Sequence, residues 1–287
     1  MGRFIRRAMK RIASALAITA LSAPLAAASD FLEPFEHIHL SKSGTPYVHS
    51  FGIEPAFTGR DLFIDHTYRV GDGVAEHESE IELEWAFTKQ LGMIVEVPYV
   101  WEDEEGVATG SGFGDLAIVP RALLVDTDRF MLTGQMEVVL PTGSSRFGGE
   151  TAIAPGVSMW NDLGNWWTLN SGLAIEHAFD EDSTELVYGV GLVKSFGKVS
   201  ADHCEENHDH DHHRHVHATA GLFHVHLEVT GATPLNGADK GDVNLEGLVG
   251  VSYGLAVGLD IRAGYLFPLT TPRDFDKGFT GGLIFHF

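Results

Sequence analysis

The chain has 287 residues, a formal charge of −21 from 40 Asp+Glu against 19 Lys+Arg, and a single cysteine, Cys204. That charge excludes nucleic acid as a partner, whose phosphates would be repelled, and one cysteine excludes an intramolecular disulfide framework. Beyond the N-terminus no run approaches the ~18 uninterrupted apolar residues of a membrane helix, so strands closed into a barrel are the only means of crossing a bilayer.

Residues 1–28 read as a secretory signal peptide. Arg3, Arg6, Arg7, Lys10 and Arg11 form a basic region without an acid, Ile12 to Leu25 is an apolar core, and Ala26-Ala27-Ala28 before Ser29 is a small-residue cleavage signature. The apolar run is too short for a span and leads into that site; a retained amphipathic anchor is the competing reading. Cleavage removes bases and no acids, so the mature chain is more acidic still. Residues 29–59 fit no strand. Pro34, Pro46 and Pro55, with His37, His39 and His49, read either as an extended periplasmic arm or as a partial plug.

From residue 60 onward apolar residues recur at every second position. In Glu78 to Phe87, Ile81, Leu83, Trp85 and Phe87 oppose Glu78, Glu80, Glu82 and Glu84; in Leu255 to Phe267, seven apolar residues alternate with Ala256, Gly258, Asp260, Arg262 and Gly264. A period of two is a strand signal and not a helix signal. It predicts twelve strands, at 60–70, 76–88, 90–102, 112–125, 129–141, 150–161, 165–177, 184–197, 217–230, 243–253, 255–267 and 277–287. Lys89-Gln90, Asp126 to Asp128, Asp162 to Gly164 and Tyr253-Gly254 read as tight turns. Longer polar loops fall at 103–111, 142–149, 178–183, 231–242 and 268–276. The even count and the alternation of short turns with long loops predict an all-β fold, a transmembrane antiparallel up-and-down β-barrel in the outer membrane with its short turns periplasmic.

Tyr99, Trp101, Trp160, Trp166, Trp167, Tyr265 and Phe267 lie near strand ends, as interfacial aromatic girdles do; sandwich-core packing is the alternative. The chain closes Thr280-Gly281-Gly282-Leu283-Ile284-Phe285-His286-Phe287, similar to the C-terminal signal read by the barrel-assembly machinery, with Phe287 terminal.

The order of several motifs is similar to the family of outer-membrane barrels named for the meta-cleavage pathway of phenol degradation, often called transporters. The matching stretches are Gly112-Phe113-Gly114-Asp115 opening a strand to Arg121, Val139-Leu140-Pro141-Thr142-Gly143, Ala154-Pro155-Gly156 with Asn161-Asp162-Leu163-Gly164, and the glycine-rich 247–269 region. The resemblance covers roughly residues 60–287 and implies a barrel passing small molecules. A histidine tract departs from the family pattern.

Strand parity assigns side chains to the lumen. The inward set holds Asp61, Asp65, Glu78, Glu80, Glu82, Glu84, Glu96, Glu102, Asp115, Glu137, Glu176, Glu228, Glu246 and Asp260 against Arg69, Arg121 and Arg262. Such a tube concentrates cations and repels anions; a salt-bridged, closed barrel core is the alternative. The tract itself supplies His203, Cys204, His208, His210, His212, His213, His215 and His217, with His224 and His226 following beside Glu228. Seven of the chain's 16 histidines lie in it. Neutral imidazoles bind Zn, Ni, Cu or Co, and strand parity makes the tract a periplasmic insertion; a solvated low-complexity loop is the bland reading. The expected partners are outer-membrane lipid and a small permeant solute or metal cation, and no cofactor is required. An enzyme is disfavoured: on the outer wall His66 and His177 are expected to lack a serine partner.

Overall fold

The computed structural model describes residues 34–198 and 220–287, apart from 36–37, 72, 105–108, 272 and 274. The expected signal peptide and the 203–217 tract lie outside the described residues.

Alternation becomes a closed sheet. The strands are β1 (Arg60–Gly71), β2 (Val74–Ala86), β3 (Leu91–Glu104), β4 (Gly110–Phe113), β5 (Leu116–Asp126), β6 (Phe130–Leu140), β7 (Ala152–Gly164), β8 (Trp167–Ala178), β9 (Ser183–Phe196), β10 (Phe223–Pro234), β11 (Asn244–Ala256), β12 (Leu259–Pro268) and β13 (Lys277–His286). Each pairs antiparallel with its neighbours, and β1 meets β13 from Asp61↔His286 to Val70↔Lys277, which closes the barrel. Because β4 and β5 both pair with β3, they form one crossing interrupted at Gly114-Asp115, and the wall has twelve strands. Closure joins the first and last strands, so every strand except the short β4, which pairs with β3 alone, has a partner on both sides. Among the described residues no helix is long and apolar enough to cross a membrane.

Four local readings are corrected. The strand expected at 112–125 is broken at Gly114-Asp115 and starts at Gly110. The ninth crossing runs Phe223–Pro234 and not 217–230. The turn expected at Asp162 to Gly164 falls at Asn165-Trp166, whose φ angles of 52° and 60° fit a two-residue hairpin turn of the type that matches strand twist. The turn expected at Tyr253-Gly254 falls at Val257-Gly258, where Gly258 takes a φ of 74°.

Outward side chains such as Ile64, Ile81, Leu83, Leu173, Val249 and Ile261 are exposed, while their neighbours Asp65, Glu82, Asn170, Ser252 and Arg262 are buried. The outer surface is the apolar belt that faces hydrocarbon in barrels of this kind. Trp160 leaves the expected girdle: it is fully buried on the inner face, against Ala56, Phe57, Leu123 and Met131. Parity explains this, since Trp160 shares a face of β7 with buried Ala154 and Ser158.

One end of the barrel carries the start of β1, the connections at 87–90, 127–129, 165–166 and 257–258, and His286. The chain leaves and re-enters the wall at this end around residues 197–222, where Phe196 pairs with Phe223. The other end carries the longer connections and the tight turn between β1 and β2.

Candidate functional site

The barrel interior holds a second piece of chain. Tyr47, Val48, Phe51, Ile53, Ala56 and Phe57 have too few apolar neighbours in sequence to form a core alone, and the wall supplies the rest. Phe57 and Tyr47 stack with centroids 4.9 Å apart and join Trp160, Leu123 and Met131. Ile53 packs on Ala174, Val187 and Ala232, and Phe51 on Leu248, Leu266 and Phe275.

An extended segment inside a barrel must also satisfy its backbone. The wall does so with the polar residues that parity sends inward. Arg262 Nη1 donates to the Ser50 carbonyl at 2.8 Å, Asn170 Nδ2 to the Ser50 hydroxyl at 2.8 Å, Arg121 to the Pro55 carbonyl and Thr133 to the Ala56 carbonyl. In the other direction the amides of Phe51 and Gly52 donate to the Glu228 carboxylate at 3.0–3.1 Å. Strands on opposite sides of the wall thus hold one segment.

The interior is dominated by carboxylates. Asp61, Asp65, Glu80, Glu82, Glu84, Glu96, Asp115, Glu137, Glu228, Glu246 and Asp260 are buried, with Arg121 and Arg262, while Glu78, Glu102, Glu176 and Arg69 are half-buried. Several acids have specific partners. Arg262 clamps Asp65 through two nitrogens, Arg121 meets Glu84 at 3.3 Å, Arg69 meets Glu76 at 3.7 Å, and Arg146 meets Glu102 at 3.3 Å. Asp115 accepts backbone amides from Gly143, Gly149 and Glu150 at 2.8–3.0 Å and so ties down the connection after β6. Glu54, carried in by the segment, sits beside Glu84, Glu80 and Glu137. Burial pushes its carboxyl up to about 8, those acids push the same way, and Arg121 opposes them.

Among the described residues histidines fall in three places. His224 and His226 are buried on β10, where His224 Nδ1 meets Ser195 Oγ at 2.8 Å and His226 Nε2 meets Ser252 Oγ at 2.9 Å. His226 also lies 3.5 Å from Glu228 and edge-on to Phe51, so it supports the segment's anchor. His39, His49 and His286 gather around Asp61 at the barrel end that holds the chain terminus. Burial holds the His49 imidazole below its ordinary range, against the pull of Asp61. Parity could find Asp61 and His286, but no register placed His39 and His49 beside them.

On the outer wall the expectation that His66 and His177 lack a serine partner is overturned for His66, and His177 meets a threonine. His66 Nδ1 lies 3.0 Å from Ser79 Oγ, and His177 Nδ1 lies 3.0 Å from Thr184 Oγ1. Both pairs are cross-strand neighbours, at His66↔Ser79 and His177↔Thr184. His66 and Ser79 each have ladder partners on both sides, so the local amides are committed to the sheet and do not form an oxyanion hole.

No protein-family model matches the chain, and no curated protein does. Among solved structures it is similar to an outer membrane channel from Pseudomonas putida F1, with a TM-score of 0.56 and 11% identity over 84% of this chain and 100% of that one. It is also similar to the NanC porin, with a TM-score of 0.51 and 12% identity over 79% of this chain and 100% of that one. The shared feature is the fold.

Proposed function

We propose that this chain is an outer-membrane channel whose acidic interior favours cations and whose own N-terminal segment narrows the conduit. The observation that carries the reading is the interior's charge: buried carboxylates on β1, β2, β3, β6, β10, β11 and β12 face two buried arginines. A low-dielectric wall lined with one sign of charge focuses the field and enriches counter-ions. The apolar outer belt, the closed sheet and the likeness to outer-membrane channels support the location. Export by residues 1–28, assembly through the C-terminal Phe287 signal, and transition-metal binding by His203, Cys204 and the following histidines belong to the same proposal.

The test is a planar-bilayer reversal potential in a KCl gradient. Cation selectivity is expected, reduced in Glu80→Gln/Glu82→Gln. An anion-selective or unselective open channel overturns the reading.

A second reading, a barrel that anchors a periplasmic metal-binding tract and conducts nothing, is favoured by one observation. Among the described residues, three cavities that border the lumenal segment are small, about 20 Å³ each, room for roughly one water. Single-channel recording separates the two: a closed anchor shows no conductance steps at any voltage.

A further inference from the structure

We propose that His49, Asp61 and His286, completed by His39, form a binding site for a divalent transition-metal ion that fastens the lumenal segment to the seam of the barrel. His39 and His49 belong to the N-terminal segment, Asp61 to the first strand and His286 to the last, so one ion would join three parts of the chain far apart in sequence.

The donors are already assembled. His49, Asp61 and His286 each offer one ligand atom, all within 4.8 Å of one another. His49 Nε2 lies 3.4 Å from Asp61 Oδ2, close to the ~3.3 Å that separates neighbouring ligands around a tetrahedral ion with bonds of about 2.0–2.1 Å. His286 Nδ1 lies 2.7 Å from Asp61 Oδ1 and needs a shift of only about half an ångström to admit an ion. The ring of His39 stands edge-on to that of His286 with centroids 5.1 Å apart, and borders the same cavity of about 20 Å³, together with His49, Asp61 and Tyr47.

One further observation fits an imidazole placed to hold an ion. Behind His286, Asp260 Oδ2 lies 3.4 Å from Nε2, the carboxylate that commonly orients a metal-bound imidazole. Three imidazoles and one carboxylate suit Zn²⁺, and equally Co²⁺ or Ni²⁺; they are a poor match for Ca²⁺ or Mg²⁺, which take oxygen ligands. A dication also suits an interior where acids outnumber bases. The site uses none of the residues of the 203–217 tract and does not depend on whether the barrel conducts.

Co²⁺ titration of the folded full chain in detergent, followed by displacement with Zn²⁺, tests this. Four-coordinate Co²⁺ in a fixed nitrogen/oxygen site gives intense visible ligand-field absorption. One equivalent of that signal is expected, abolished by Zn²⁺, lost in Asp61→Asn and in His49→Ala/His286→Gln, and retained when every histidine from 203 to 217 is serine. Heat-modifiable gel mobility identifies folded barrels, and the isosteric Asp61→Asn variant serves if the double variant does not fold. Absence of the signal in the parent chain, its persistence in folded Asp61→Asn, or its loss with the tract histidines alone overturns the proposal.

Discussion

Arg262 shows how much one inward side chain can organise. Its guanidinium clamps Asp65 across the β12–β13–β1 seam, donates to the Ser50 carbonyl of the lumenal segment, and lies between the rings of Phe51 and Phe63, 5.2 and 5.1 Å from their centroids. Both members of the ion pair are almost wholly buried. Removing one partner leaves an uncompensated buried charge, which costs about 3–5 kcal/mol, whereas replacing both with apolar groups of similar size is often neutral. Arg262→Met is therefore expected to lose about 3 kcal/mol in urea unfolding of the detergent-folded barrel, and Arg262→Met/Asp65→Leu to regain most of it. A double variant as unstable as the single one would show that the hydrogen bond to Ser50, and not the ion pair, is what the arginine supplies.

At the scale of the strand, alternation read the wall well because lipid outside and polar groups inside impose opposite chemistries on successive residues. It misplaced turns for a physical reason. A two-residue turn preserves parity, so the apolar series Leu255, Val257, Leu259, Ile261 passes through Val257-Gly258 without a break and resembles one strand. Trp160 was misread for the opposite reason: an aromatic near a strand end suggests an interface, but its parity points inward to a patch that only Tyr47 and Phe57 make sense of. The Gly114-Asp115 break was legible as a motif but not as a break. Asp115 must leave the ladder to hold the amides of Gly143, Gly149 and Glu150, and a side chain at Gly143 would press within 2.7 Å of the Gly114 backbone. Charge-assisted bonds of this kind contribute about 1.5–3 kcal/mol each. Asp115→Ala should therefore release the 141–151 connection while the barrel stays folded, read as faster protease nicking within those residues; an unchanged nicking rate would show that the connection is held by other contacts.

For the whole molecule, the two layers were unequally legible. The wall follows from a repeating rule, but the lumenal segment has no period of its own and takes its conformation from the cavity it enters, which is why the sequence left an arm and a plug equally open. Its seating should respond to pH through Glu54. That carboxyl faces Glu80, Glu82 and Glu84 from β2, Glu96 from β3, Glu137 from β6 and Arg121 from β5, with Arg262 bordering the same cavity. Seated, its pKa stands at about 8; released into solvent it returns to an ordinary carboxylate value near 4.5. The seated state therefore binds the proton more tightly, so the contribution to seating is complete below about 4.5 and is lost as pH rises through about 8. In bilayers containing EDTA, so that no ion fastens His49, conductance is expected to rise between pH 6 and pH 9. Glu54→Gln, which keeps the neutral form at every pH, should hold the low-conductance state and flatten most of that rise. The wall acids titrate in both proteins, so the difference between the two curves belongs to Glu54. Equal pH responses in the parent and in Glu54→Gln would mean that any gating proton sits on the wall and not on the segment.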